Sequence, residues 1–340
     1  MIFITGGTGL VGSHLLFELV SQGRKVRALR RSNSNVDEVR KVFKYYSKDA
    51  DLLLSKIEWV EADILDTEKI EEFLDDVDEV YHTAAVVSFD PRDRERMMNV
   101  NVEGTSKLVD LILEKKIQKF CFVSSVASIG PMNGNQPADE SSFWKRTRST
   151  SWYSRSKFKS EMEVWRAMAD GLKAVIVNPS IILGPGHWKR GSSQMFEKIY
   201  KGLPFYPNGL TGFVDVRDVV RAMISFMDDN KFGERYILSS ENLFYKDVFF
   251  EIARCYNKKP PKFAANRTLT SLAWRLDWIR RNLTGLPPII TKETARSSQN
   301  IKYYSNQKIR ETLDFEFTPI NKTIKHICEV YLKEKNELKE

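Results

Sequence analysis

The chain has no run of eighteen apolar residues, so no segment can cross a bilayer as a helix. It has only three cysteines, Cys121, Cys255 and Cys328, far apart in sequence. That spacing supports neither a disulfide framework nor a metal site, and it fits a reducing compartment. Histidine is scarce too, with four in the chain. His14 and His326 fall on helical stretches without ligand spacing, and His82 follows Tyr81 inside a strand and reads as core, so no metal is expected. There is no internal repeat and no low-complexity linker. The opening "MIFITGG" has no basic leader and its glycines arrive early, so no signal peptide and a cytoplasmic location are expected.

What is present is ordinary in bulk. The 340 residues, 42% hydrophobic and 29% charged, suffice for a large core with a smaller lobe. The net charge is +8. Lys and Arg read as spread over many helices and interleaved with Asp and Glu, which indicates solvated helix faces and no nucleic-acid partner.

Short apolar runs alternate with amphipathic stretches. Strands are expected at 1–5, 25–30, 57–62, 79–85, 119–125, 173–178 and 235–240. Helices are expected at 10–22, 36–54, 67–74, 92–115 and 152–169. This order predicts an α/β fold, a doubly wound parallel sheet of Rossmann type. After residue 240 the alternation stops, and helices are expected in "LFYKDVFFEIARCY", "TLTSLAWRLDWIRRNL" and "NKTIKHICEVYLKEK". The expected division is a dinucleotide-binding domain over 1–178, rejoined by 212–240, with a mostly helical substrate lobe from 179–211 and 241–340.

"TGGTGLVG" at 5–12 lies between the first strand and the first helix. Gly7-x-Gly9-x-x-Gly12 matches the dinucleotide fingerprint. In that fingerprint the first glycine permits the turn, the second admits a pyrophosphate, and the third lets helix and sheet pack. The anion then meets the positive end of the helix. Thr5, Gly6, Gly7, Thr8, Gly9, Leu10, Val11 and Gly12 are therefore candidate cofactor contacts. A carboxylate about twenty residues on would grip the ribose of NAD. Here stand Arg30 and Arg31, with no acidic residue until Asp37. Two guanidiniums suit a 2′-phosphate, so NADP is expected, with NAD as the alternative.

Tyr153 and Lys157 lie four residues apart, hence on one face of a helix. A phenol with pKa near ~10 is a poor acid–base group at neutral pH. A neighbouring ammonium would lower it. Ser124 and Ser125 end a predicted strand, where a doubly wound sheet places its ligands.

In combination these motifs resemble the extended short-chain dehydrogenases/reductases. "TGGTGLVG" matches the family's T-G-x-x-G-x-x-G. "EADILD" resembles its adenine-site segment, which implies Asp63 and Ile64 beside the adenine. "VYHTAAVVSF" resembles the strand-four segment that brings Ala84 and Ala85 to the cofactor, and "NVNVEGT" the helix supplying Asn101. "VSSVASIG" matches the catalytic-serine strand, with Ser125 in the active position and Ser124 before it. Tyr153 and Lys157 match the catalytic pair, and the family's lysine also bonds the nicotinamide ribose. "NPSIILGPG" resembles a segment of dihydroflavonol 4-reductase and cinnamoyl-CoA reductase relatives and implies Pro179 and Ser180 near the nicotinamide. "LTGLPPIITKE" and "YYSNQKIRETLDFEFTP" resemble the C-terminal lobe of dihydroflavonol-reductase-like proteins, with "TLDF" departing at a turn. The segment around the tyrosine lacks the plant enzymes' full pattern, so a flavonoid substrate does not follow. The charged 36–56 stretch reads as a surface insertion. Family members are often dimers through a four-helix interface, so a homodimer is expected.

The resemblance implies reduction of a carbonyl in a small molecule, with Ser125, Tyr153 and Lys157 as the catalytic set and Asn101 beside them. One alternative is a nucleotide-sugar epimerase or dehydratase with tightly held NAD. Another is a binding module that senses NADP without turnover. Two basic segments, Lys145, Arg146 and Arg148, then His187, Lys189 and Arg190, are interleaved with Phe143, Trp144, Trp152 and Trp188. They raise an anionic substrate as a hypothesis against plain solvated loops. The amphipathic stretch 268–283 is expected to pack on the lobe or a partner subunit rather than rest on a membrane.

Overall fold

In the computed structural model, residues 1–132, 134–147, 150–284 and 291–337 are described, and the side chains of Arg267 and Leu269 are left aside. Six strands and one late return build the main sheet: β1 (Ile2–Thr5), β2 (Val26–Arg30), β3 (Ile57–Glu61), β4 (Glu79–His82), β5 (Lys119–Val123), β6 (Ala174–Pro179) and Glu234–Leu238. The order is β3-β2-β1-β4-β5-β6 followed by Glu234–Leu238, and every pairing is parallel. A parallel sheet needs cover on both faces. Alternate residues supply it. Ile2, Ile4, Cys121 and Val123 join one core cluster with Leu15, Leu19, Met223 and Phe226. Phe3, Phe120 and Phe122 join the other with Leu108, Ile112 and Val164. Strand order reverses between β1 and β4, and ligands of such sheets bind outside the strand carboxyl ends at that point.

The structure alters several expectations. The residues at 36–54 form two helices, Val36–Tyr46 and Ala50–Leu54. Val39, Phe43, Ala50 and Leu54 are part of the core, so this stretch is an integral layer and not a surface insertion. The helix expected over 92–115 is broken by a π-helical segment, Met98–Glu103, before Gly104–Glu114. The return at 212–240 is only partial. Leu210–Asp215 sits in a separate three-stranded sheet between Ile181–Leu183 and Glu241–Phe244, and the main sheet regains the chain with the helix Val216–Asp228 and the strand Glu234–Leu238. The lobe is mostly helical as expected, but Glu241–Phe244 delays the helix expected from Leu243 to Tyr245–Cys255, and Phe263–Ala265 pairs with Phe205–Pro207.

The long helices fall as expected. Trp152–Ala169 spans eighteen residues and is N-capped by Ser151, whose side chain accepts from Ser154 N. Ile320–Glu337 buries Ile324, Ile327 and Tyr331 against the Tyr245–Cys255 helix. Arg267–Thr284 behaves differently. Its inward face carries the buried Thr270 and Asp277 with Arg281, while Leu272, Leu276, Ile279 and Leu283 point outward. Its polar side packs inward, with Arg281 bonded to Asp90 of the segment 1–178.

Candidate active site

The turn after β1 shows why glycine is required there. Gly6 has φ +75°, a left-handed conformation, and a Cβ on it would stand 2.5 Å from Ala84 N. A Cβ on Gly12 would stand 2.2 Å from the Gly6 carbonyl oxygen. The tight turn therefore belongs to Gly6, not to Gly7 as the fingerprint suggested. Gly7 approaches the side chain of Leu16 in the first helix. Gly9 is the exposed apex and the N-cap of Leu10–Ser21. No side chain caps this helix end and its first turn holds no acidic residue, which leaves its N–H groups facing outward as an anion cradle. A pyrophosphate fits this arrangement. Thr5, Gly6, Thr8, Leu10 and Val11 form the turn and the start of this helix. Thr5 is buried, and its hydroxyl bonds His82 Nδ1 at 2.6 Å. Burial holds His82 far below the usual histidine range, at about 3, so it is a neutral spacer between Thr5 and Thr105.

At the end of β2, Arg31 is exposed and Arg30 half-exposed. Register puts Glu61 of β3 beside Arg30, with 3.4 Å between guanidinium and carboxylate. A carboxylate thus stands close to the arginine pair after all, supplied by the neighbouring strand. Asp63 follows on the surface and accepts from Leu65 N at 3.0 Å, while Ile64 is buried against Gly104.

Ser125, Tyr153 and Lys157 meet beyond the ends of β5 and β6. Ser125 caps a short 3-10 turn and accepts from Ala127 N at 3.2 Å. Tyr153 is half-buried, with the Phe89 ring edge-on at 5.9 Å. Burial raises the Tyr153 hydroxyl above the ordinary phenol range, and its hydrogen-bonding interaction with Ser125 opposes this. Lys157 is 3% exposed and donates to the Val123 carbonyl at 2.8 Å. Its pKa is pushed down to about 8 by burial, with Glu161 pulling the other way. No direct Tyr153–Lys157 hydrogen bond forms, so the lowered tyrosine pKa expected from the sequence is not what this state holds.

Asn101 lies in the π-helical segment. Its amide accepts from Val86 N at 2.7 Å and donates to Val86 O and Ser156 Oγ, so it fastens the chain after β4 to the tyrosine helix. The Asn101 carbonyl accepts from Ser160 at 2.6 Å and from Thr105 Oγ1 at 2.5 Å. Ala84 and Ala85 lead into this loop. Ser124 is buried and contacts Ser128 at 3.2 Å.

Sequence reasoning missed the layer behind the triad. Glu161, 1% exposed, accepts from Ser128, Asn178 and Arg235, the last at 3.2 Å. Asn178 also donates to the Ser125 carbonyl at 3.1 Å. Glu140 closes the group: its side chain accepts from Ile237 N at 2.7 Å and its carbonyl from Arg235. The one available signal was the spacing of Glu161, one further turn after Lys157 on the same helix face.

Pro179 ends β6, and Ser180 is bonded to Leu238 through its N–H at 2.9 Å. His187 reaches the Thr8 carbonyl at 3.1 Å, on the cofactor turn, with Glu38 3.5 Å away. Trp188 donates to Glu334 at 2.6 Å and Trp144 stacks on Phe158 at 4.2 Å, so both are structural. Trp152 is sandwiched by Arg94 and Arg155 at 3.8 and 4.4 Å. Lys145, Arg146, Lys189, Arg190 and Phe143 are exposed, and Arg148 lies outside the described residues. Among the described residues no group of His, Cys, Asp and Glu is placed to hold a metal, and no helix is long and apolar enough to cross a membrane.

Comparison with known proteins bears on this geometry. The model of the NAD-dependent epimerase/dehydratase family matches residues 2–238. A dihydroflavonol 4-reductase-like protein of Synechocystis sp. is 29% identical over 91% of this chain and 88% of its own. Cinnamoyl-CoA reductase 1 of Petunia hybrida is 25% identical over 95% and 90%. Among solved structures, gox2253 superposes with TM-score 0.80 at 28% identity, covering 98% of both chains. The UDP-glucose 4-epimerase of Thermotoga maritima gives 0.76 at 20% identity over 98% and 99%, a likeness of fold. The chain belongs to the NAD-dependent epimerase/dehydratase family, within the extended short-chain dehydrogenases/reductases, and is an NAD(P)-dependent enzyme.

Proposed function

We propose that the protein reduces a ketone or aldehyde of a small molecule to an alcohol at the expense of NADPH. The observation that carries this is the gathering of Ser125, Tyr153 and Lys157 outside the end of β5, together with an uncapped helix N-terminus after β1 that suits a pyrophosphate. The cofactor supplies the hydride when bound; the chain supplies position and the proton. Ser125 holds the substrate carbonyl oxygen. Tyr153 Oη gives that oxygen its proton. Its raised pKa keeps the hydroxyl protonated at neutral pH, which suits an acid and hence the reducing direction. Lys157, which bonds the Val123 carbonyl here, would hold the nicotinamide ribose, and Asn101 acts as a positioning residue through Val86 and Ser156. Arg30 and Arg31 take the 2′-phosphate, while Asp63, Ile64, Ala84, Ala85, Ser124, Pro179 and Ser180 shape the rest of the cofactor groove. The reductase names of the full-length relatives support this reading.

Glu61 favours a second reading. A carboxylate beside Arg30 suits an unphosphorylated ribose, as in an epimerase that keeps NAD bound. One experiment separates the two. Purified protein is offered aldehydes, ketones and nucleotide sugars with NADPH or NADH. Net loss of nicotinamide absorbance with a carbonyl compound supports reduction. Sugar interconversion without net consumption, by protein that purifies with NAD, replaces it with the second reading.

A further inference from the structure

The helix Arg267–Thr284 is turned inside out. At roughly 100° per residue, Thr270, Trp274, Asp277 and Arg281 fall on one side and Leu272, Leu276, Ile279 and Leu283 on the opposite side. The structure turns the first set inward, with Trp274 and Arg281 half-buried. Thr270 and Asp277 are each 7% exposed, and Arg281 bonds Asp90 at 3.1 Å. The second set faces out, with 56%, 57%, 48% and 81% of each residue exposed. A soluble helix normally does the reverse. None of the described side chains of this helix joins a core cluster. Arg275 and Arg280 stand on the two flanks of the apolar stripe.

Charge follows the same segment. Residues 258–302 hold ten Lys and Arg against two Asp and Glu, a net +8. That equals the formal charge of the whole chain, so the remaining residues are balanced at forty-three of each sign. The net excess lies in this segment, while elsewhere Lys and Arg are interleaved with Asp and Glu as expected.

We propose that this helix docks the enzyme on the surface of a bilayer containing anionic lipid. Leu272, Leu276, Ile279 and Leu283 enter the acyl boundary, while Arg275 and the lysines of the 258–302 segment meet the headgroups and Arg280 stays paired with Asp277. A second copy of the chain is the poorer occupant, because two faces of the same positive charge would repel on meeting. Nucleic acid is poorer too. Its phosphates complement the charge but leave four aliphatic side chains in water. The tie from Arg281 to Asp90 links the docked helix to the loop whose Phe89 faces Tyr153, so the crevice would lie close to the bilayer.

Vesicle sedimentation of the full-length protein tests this. The probes are phosphatidylcholine vesicles with and without an equal share of phosphatidylglycerol. Anionic vesicles should carry down about tenfold more protein than neutral ones at low salt, and less as salt rises. The variant Leu276→Asp/Ile279→Asp should lose about tenfold of that binding, with unchanged melting and unchanged NADPH affinity. Should that variant melt early, Arg275→Glu serves in its place, at a surface position. The proposal is overturned if wild type stays in solution with anionic vesicles, or if a folded variant sediments as well as wild type. It is equally overturned by a dimer or duplex-DNA complex that depends on the stripe while vesicles go unbound.

Discussion

The helices Trp152–Ala169 and Arg267–Thr284 are both eighteen residues long, and both turn polar groups inward. In the first, Ser156, Lys157, Ser160 and Glu161 are buried, yet Val164 and Ala167 on the same helix anchor it in the core. Its polar face is carried by an apolar one. In the second, Thr270 and Asp277 are buried with no such anchor among the described side chains, and the apolar face points away from the protein. The lesson is that burial of polar groups has two causes. Where the helix is otherwise well packed, the polar groups serve the site. Where it is not, the packing partner of the apolar side lies outside the fold.

Tyr153→Phe should have the largest effect. Loss of the proton donor should cut turnover by about 10²–10⁴-fold while leaving NADPH affinity unchanged, as read by steady-state kinetics beside fluorescence titration. A variant that keeps turnover would remove the chemical role of the first helix. Next comes Glu161→Gln. It takes away one partner of a buried ion pair and should cost about 3–5 kcal/mol in urea unfolding. It should also move the alkaline loss of NADPH binding to lower pH. Lys157 holds its charge below about 8 and loses it above, and Glu161 is the group that raises that value. The matching sign for stability is a gain as pH rises from about 8 to the ordinary lysine value, because the unfolded chain binds the extra proton there. An alkaline limb that stays in place would separate Glu161 from the lysine. The smallest effect belongs to Leu276→Gln in the second helix, within about 0.5 kcal/mol in solution by thermal melting. A large loss there would mean that the outward stripe is packed after all.

Much of this was legible in the sequence, for identifiable reasons. Residues of a doubly buried strand are apolar on both faces, so β1, β5 and β6 announce themselves. The tyrosine helix was bounded correctly because Ser151 caps it and its pattern is regular. Groups that meet across strands were not legible. Glu61 lies thirty-one positions from Arg30 and meets it only through the β2–β3 register. Glu161 and Arg235 are seventy-four positions apart. The strand Glu241–Phe244 has no alternation to mark it. The direction of Arg267–Thr284 was hidden for a different reason. Periodicity marks an apolar stripe, but not whether that stripe faces the protein or its surroundings.

The π-helical segment Met98–Glu103 amounts to one surplus residue in a long helix, and that has a consequence for phase. Deleting a single residue there would let the helix close as a regular spiral, but everything upstream would swing by roughly 100°. Asn101 would then release Val86 and Ser160, and the loop leading to Phe89 would lose its moorings. An apparent imperfection is thus the gear tooth that keeps the upstream loop and the tyrosine helix in step.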